Sequence, residues 1–153
     1  MSDEPNEPNE PDEPDEPDEL QLVVRGPEDV VCFLRACGVP AEEPAQILLG
    51  LALTESDPLA HVVCGAAVRS GPDAVRPVDA GQLVDLAEEL LVGAVVLATV
   101  ETGGGQAPSR HEVARFVGLR RDCADEGVVL LDWIVLTERH WWSMREQVIH
   151  EAA

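Results

Sequence analysis

The residues best placed to do chemistry fall within fourteen positions, from Thr99 to Glu112. An apolar run, AVVLATV (94–100), has the length and continuity of a buried strand. ETGGGQAP (101–108) reads as a loop, and SRHEVARFVGLRRDCADE (109–126) as a long helix. Glu101 opens the loop, while Ser109 and Glu112 have the S-x-x-E spacing of a helix capping box. Two carboxylates and a hydroxyl around one loop can hold a hard cation through oxygen. The competing reading is structural: Ser109 and Glu112 satisfy orphan amides at the helix start, and Glu101 is an exposed loop carboxylate. Without a metal, two carboxylates sharing a pocket raise the pKa of at least one of them. Gly103, Gly104 and Gly105 are neither G-x-G-x-x-G nor followed by G-K-[ST], which argues against a phosphate cradle.

Other reactive side chains are scattered. His111, His140 and His150 share no metal-ligand spacing, and no G-x-S-x-G elbow supports a serine hydrolase. Cys32, Cys37, Cys64 and Cys123 include no C-x-x-C pair, so free thiols packed into the core are expected. The composition narrows the function classes further. Net charge is −20, all ten basic residues are Arg, and residues 3–19 hold ten acids and no base. Clustered cations able to displace counterions from a nucleic-acid backbone are missing, so direct nucleic-acid binding is not expected. No apolar run has the length of a membrane span, and the start lacks a signal-peptide layout; a cytoplasmic protein follows as the expectation.

These residues must be positioned by the elements around them. DEPNEPNEPDEPDEPDE (3–19) repeats an acid or Asn, Glu, then Pro, and is expected to stay extended, so that residues 1–19 form a disordered acidic tail. Residues 20–153 form the single domain. Pro27, Glu28 and Asp29 suit a helix start that runs to about Cys37. AQILLGLALT (45–54) and LAHVVCGAAV (59–68) flank a turn at ESDP, and RSGPDAVRPV (69–78) is a connection. DAGQLVDLAEELLVG (79–93) is an amphipathic helix capped by Asp79, with Leu83, Leu86, Leu90 and Leu91 as its apolar stripe. GVVLLDWIVL (127–136) and HWWSM (140–144) are closing strands, the second placing Trp141 and Trp142 on opposite faces. The fold class is therefore α/β (α+β), a mixed sheet with helices packed on it.

The spacing across residues 99–112 resembles the metal motif of the JAB/MPN metalloprotease domains, in particular the RadC-like branch. That motif reads His-x-His, seven residues, Ser, two residues, Asp, and the same places hold Thr99, Glu101, Ser109 and Glu112. GPEDVVCFLRA (26–36) is similar to the family's opening helix. GVVLLDWIVLTERHWWSMRE (127–146) is similar to its closing strands, with Asp132, Ser143, Arg145 and Glu146 retained and Trp133 where the family has His. The resemblance implies a JAB/MPN-like mixed sheet flanked by helices. In active relatives it implies zinc on two His and one Asp, a zinc-activated water, a glutamate base, and a serine supporting the oxyanion. Here Thr99, Glu101 and Glu112 stand at the metal positions, and Ser109 is the retained motif serine. The position of the family's glutamate falls near Val63 or Cys64, where the nearest strong proton acceptor is His61.

The reading that follows is a catalytically inactive pseudo-metalloprotease with no cofactor of its own. It acts as a protein- or peptide-binding or scaffolding module. Two alternatives stay open: a metal-dependent peptidase or isopeptidase using a glutamate-based site, and an acidic mimic of nucleic acid that occupies a basic groove on another protein.

Overall fold

In a computed structural model of the chain, the structure describes residues 23–39, 43–53, 60–71, 78–102 and 106–152. The expected acidic tail, the ESDP turn and the glycine triplet lie outside the described residues. Ten elements follow one another: β1 (Val23–Val24), α1 (Pro27–Ala36), β2 (Ala45–Leu53), β3 (His61–Ser70), α2 (Ala80–Leu90), β4 (Ala94–Val100), α3 (Arg110–Asp125), β5 (Val129–Leu136), β6 (Trp141–Ser143) and α4 (Met144–Ala152).

The six strands form one mixed sheet in the order β1-β3-β2-β4-β5-β6. β2 and β3 pair antiparallel as a long hairpin, as the two apolar runs predict. β2 also pairs antiparallel with β4, and β4 pairs parallel with β5. A parallel pair needs a crossover, and α3 supplies it. Alternation along the strands feeds two apolar layers. One packs α2, α3 and Met144 of α4 onto Leu48, Val95, Leu97, Leu130, Trp133 and Val135. The other packs α1 through Val30, Val31 and Leu34 onto Ile47, Leu49, Leu51, Val96, Ala98 and Ile134. Both faces of β4 are covered, which is why AVVLATV is apolar at nearly every position. Side chains such as Leu83 and Phe116 are fully buried, each stabilising by roughly 1.5–3 kcal/mol relative to exposure.

The helix starts follow their local chemistry. α1 has Gly26 before it, Pro27 in its first turn, and no side-chain cap; the Asp29 carboxylate instead accepts from the Arg25 N–H at 2.8 Å. Asp79 and Gln82 form a capping box on α2, with 3.0 and 3.1 Å bonds in the two directions. Gly50 and Gly65 face each other across β2 and β3, and Leu90 of α2 sits over both. A Cβ at Gly50 would stand 2.5 Å from a Leu90 methyl, so the leucine side chain would have to shift to admit one.

Four expectations need correction. Leu91 does not belong to the apolar stripe: α2 ends at Leu90, and Leu91 turns left-handed (φ 58°) and is 92% exposed. The closing strand stops at Ser143, because Met144 begins α4, an element the expected order lacks. β1 was also not anticipated. Among the thiols, all free, only Cys123 packs in the core, while Cys32, Cys37 and Cys64 are exposed. Trp141 and Trp142 do divide between the faces, one against each apolar layer, both half-buried. Among the described residues, no helix is long and apolar enough to cross a membrane.

Candidate functional site

The end of β4 and the start of α3 bring three of the four motif positions together. An open pocket of about 320 Å³ is lined by Glu101, Gln106, Pro108, Ser109, Glu112 and Val135. β4 delivers Glu101 to it: the Glu101 N–H donates to the Leu136 carbonyl at 2.9 Å, continuing the β4–β5 ladder one step beyond the strand. Ser109 and Glu112 arrive on α3 already bonded to each other. The Glu112 Oε1 accepts from the Ser109 N–H at 2.8 Å, and the Ser109 Oγ accepts from the Glu112 N–H at 3.2 Å. This is the capping box expected from S-x-x-E, and it engages both side chains in holding the helix start.

Thr99 is not part of the pocket. Its Oγ1 accepts from the Trp133 indole Nε1–H at 3.0 Å. Trp133 is 8% exposed, so its N–H needs an acceptor inside the protein, and Thr99 is that acceptor. The Arg115 guanidinium lies 5.9 Å from the Trp133 ring centroid and donates to the Val78 carbonyl at 3.2 Å, closing the layer above the indole. Two positions at which this sequence departs from the resemblance, Thr99 and Trp133, are thus partners of one another.

Glu101 is half-buried, and its carboxyl is pushed above the usual glutamate range, by burial first and by the neighbouring Glu112 second. Glu101 and Glu112 thus stand as two carboxylates on one pocket wall. The donor set does not suit zinc. Structural and catalytic zinc sites take three or four nitrogen, sulfur or carboxylate ligands. Here Thr99 is turned to an indole, one Glu112 oxygen holds a backbone amide, and only Glu101 has a side chain committed to neither. Among the described residues, no group of three His, Cys, Asp or Glu is arranged to hold an ion. His61, the nearest base to the expected glutamate position, opens onto a different cavity.

A second polar constellation escaped the sequence reading as a site. Asp132 is 5% exposed on β5, beside a bulge at Leu131 where Val95 pairs Leu130 and Val96 pairs Asp132. Its Oδ1 accepts from the Trp133 N–H at 2.7 Å and the Arg145 N–H at 3.0 Å, and its Oδ2 accepts from the Ser143 hydroxyl. The Ser143 Oγ in turn accepts from the Glu146 N–H at 3.2 Å. Burial raises the Asp132 pKa, and these three bonds and the Arg145 charge oppose the rise. The residues Asp132, Ser143, Arg145 and Glu146 therefore form one network that stitches β5, β6 and the start of α4. The signal was present in the sequence as S-x-R-E, but only folding shows that its partner is eleven residues upstream.

No protein-family model matches this chain, and no curated protein matches it significantly.

Proposed function

We propose that this chain is a RadC-like JAB/MPN domain that has exchanged its metal site for internal hydrogen bonds and acts as a peptide-binding or scaffolding module. The exchange is supported by the pairing of Thr99 with Trp133 and by the capping box that engages Ser109 and Glu112. The observation that carries the binding role is the outer edge of β3. Among the described residues, β1 covers only His61 and Val62 on that edge, leaving residues 63–70 without a strand neighbour. An open edge offers backbone donors and acceptors to an extended segment, which binds by adding a strand. The far end of β3 lies in one row with the motif pocket, because Ser70 pairs Ala45 and Ala45 pairs Val100. A peptide laid along β3 in this way ends level with Glu101 in the same row, with β3 and β2 between them. Its chemistry follows from the charge of the chain: with a net −20 overall, a basic extended peptide is favoured over an acidic one.

The test has two arms. Metal content is measured after incubation with Zn²⁺ and Mn²⁺ and exhaustive dialysis, beside a Glu101→Ala/Glu112→Ala variant. Both are expected to hold well under one ion per chain; a stoichiometric ion lost in the variant overturns the metal-free reading and points to hydrolysis. In the second arm, peptides are selected from a displayed random library, and the strongest binder is mapped by amide hydrogen exchange. Added protection at residues 63–70 is expected. Protection confined to other elements removes β3 as the binding edge.

A further inference from the structure

β1 is a strand of two residues at the edge of the sheet, with Val24 paired to His61 and Val23 to Val62 in antiparallel register. Its C-terminal side is held in place. The Asp29 carboxylate accepts from the Arg25 N–H, and Val24 and Arg25 share a cavity of about 90 Å³ with His61, Asp132 and Arg145. Its N-terminal side is aimed along β3 toward Ser70. Carried back along the chain, the same register sets Leu22 opposite Val63 and Gln21 opposite Cys64. Relative to β2, β3 holds an extra residue at Cys64, so Leu20 comes level with Gly65 or Ala66.

The sequence before β1 suits such a path. Leu20, Leu22 and Val24 alternate with Glu19, Gln21 and Val23, the period of a strand. Going back from Val23, the first residue unable to donate to a ladder is Pro17, and no Gly intervenes. Val24 is buried in the layer under α1, so a strand continued through Leu22 and Leu20 puts both leucines on that side. Val63, opposite Leu22, packs half-buried against the same layer. The β3 edge also lacks the usual protection. Residues 62–68 carry no charge and no Pro, the devices that keep open edges from pairing, and Val68 is 67% exposed.

We propose that residues 20–22 lengthen β1 along the β3 edge, making the chain's own N-terminal segment the resident occupant that an incoming peptide must displace. The displacement rests on the peptide-binding reading; the pairing does not. Two rungs already fix the register, and each further residue joins with no loop to close. A second copy of the chain is the less favoured occupant, since two chains of net charge −20 repel. Beyond Leu20 the sequence turns acidic and reaches Pro17, so Arg69 and Ser70 at the far end of β3 stay open for a peptide to engage first.

The experiment is amide hydrogen exchange on the full chain without peptide, beside Leu22→Asp and Gln21→Pro, with Glu10→Gln in the acidic repeat as the control. Ladder amides among residues 63–66 are expected to exchange at least about ten-fold more slowly in the wild type and the control than in the two variants. Unchanged spectra for β4 and β5 verify that the variants fold. Wild-type exchange as fast as in both variants overturns the pairing. A ten-fold slowing means an edge occupied about nine-tenths of the time, so Gln21→Pro should bind the selected peptide about ten-fold more tightly. Equal affinity of wild type and variant overturns the displacement. If neither binds a peptide, the peptide-binding reading falls and the displacement with it, while the exchange difference still decides the pairing.

Discussion

Thr99 and Trp133 show how one side chain can fix the identity of another across a sheet. A buried indole N–H without an acceptor costs about 1–3 kcal/mol, so the threonine hydroxyl at 3.0 Å is required by the tryptophan. Glu101, two residues on, is the opposite case, a side chain whose charge the fold disfavours. Because burial and Glu112 raise its pKa in the native state, the folded protein holds this proton more tightly than the unfolded chain. Stability from that difference is fully present below the unfolded value, near 4.5, and is lost as pH rises through the higher native value. Glu101→Gln has no such loss. The melting temperature of the variant should match that of the wild type at the acid end of the carboxylate range and exceed it at pH 7. Calorimetry from about pH 4 to 8 reads the difference directly; a variant less stable at pH 7 would mean that the Glu101 charge is held by a favourable partner. The capping bonds of Ser109 and Glu112 were legible in the sequence because they span three residues. The Thr99–Trp133 bond was not, because it joins two strands thirty-four residues apart.

At the scale of elements, continuity of apolar character was the dependable signal. The runs at 45–54, 94–100 and 127–136 became β2, β4 and β5 with ends displaced by no more than two residues. Boundaries without a strong stop signal were misplaced. Leu91 extends the leucine pattern of α2 in sequence, yet the helix stops before it, and the left-handed turn falls on a branched, exposed residue. Glycine is the usual occupant of that conformation, since a Cβ there crowds the carbonyl. Leu91→Gly is therefore expected to stabilise the protein by about 1 kcal/mol in urea denaturation, with the slope unchanged. A loss of stability would show that the exposed leucine makes contacts that outweigh the strain. α4 was missed because its start, Met144, lies inside a segment that alternates like a strand, and its placement is set by Asp132 from another element.

For the whole molecule, charge and curvature matter most. A net charge of −20 spread over 153 residues opposes compaction through self-repulsion, and half of it lies in residues 3–19. Raising NaCl from about 10 to 500 mM should raise the melting temperature by a few degrees, and deleting residues 1–19 should shrink that increment. A melting temperature that falls with salt would indicate that attractive pairs dominate instead. The mixed sheet and its helical layers were readable from the order of periodic segments. The convergence of Arg25, His61, Asp132 and Arg145 was not, because no short-range pattern links four positions on separate segments.

That convergence has a topological meaning as well. Val24 and Arg25 belong to the strand and turn at one edge of the sheet, and Arg145 to the helix that follows the strand at the other edge, yet they line one small cavity. The sheet is thus curled enough for its β1 edge to share a cavity with the start of α4, and α4 carries the chain on by about 13 Å over its nine residues. The order in which the strands are threaded is then largely separable from the shape they enclose. A linker from the end of α4 to β1, with new ends opened at the turn holding Gly127, would trace the same architecture as a circular permutant beginning at β5.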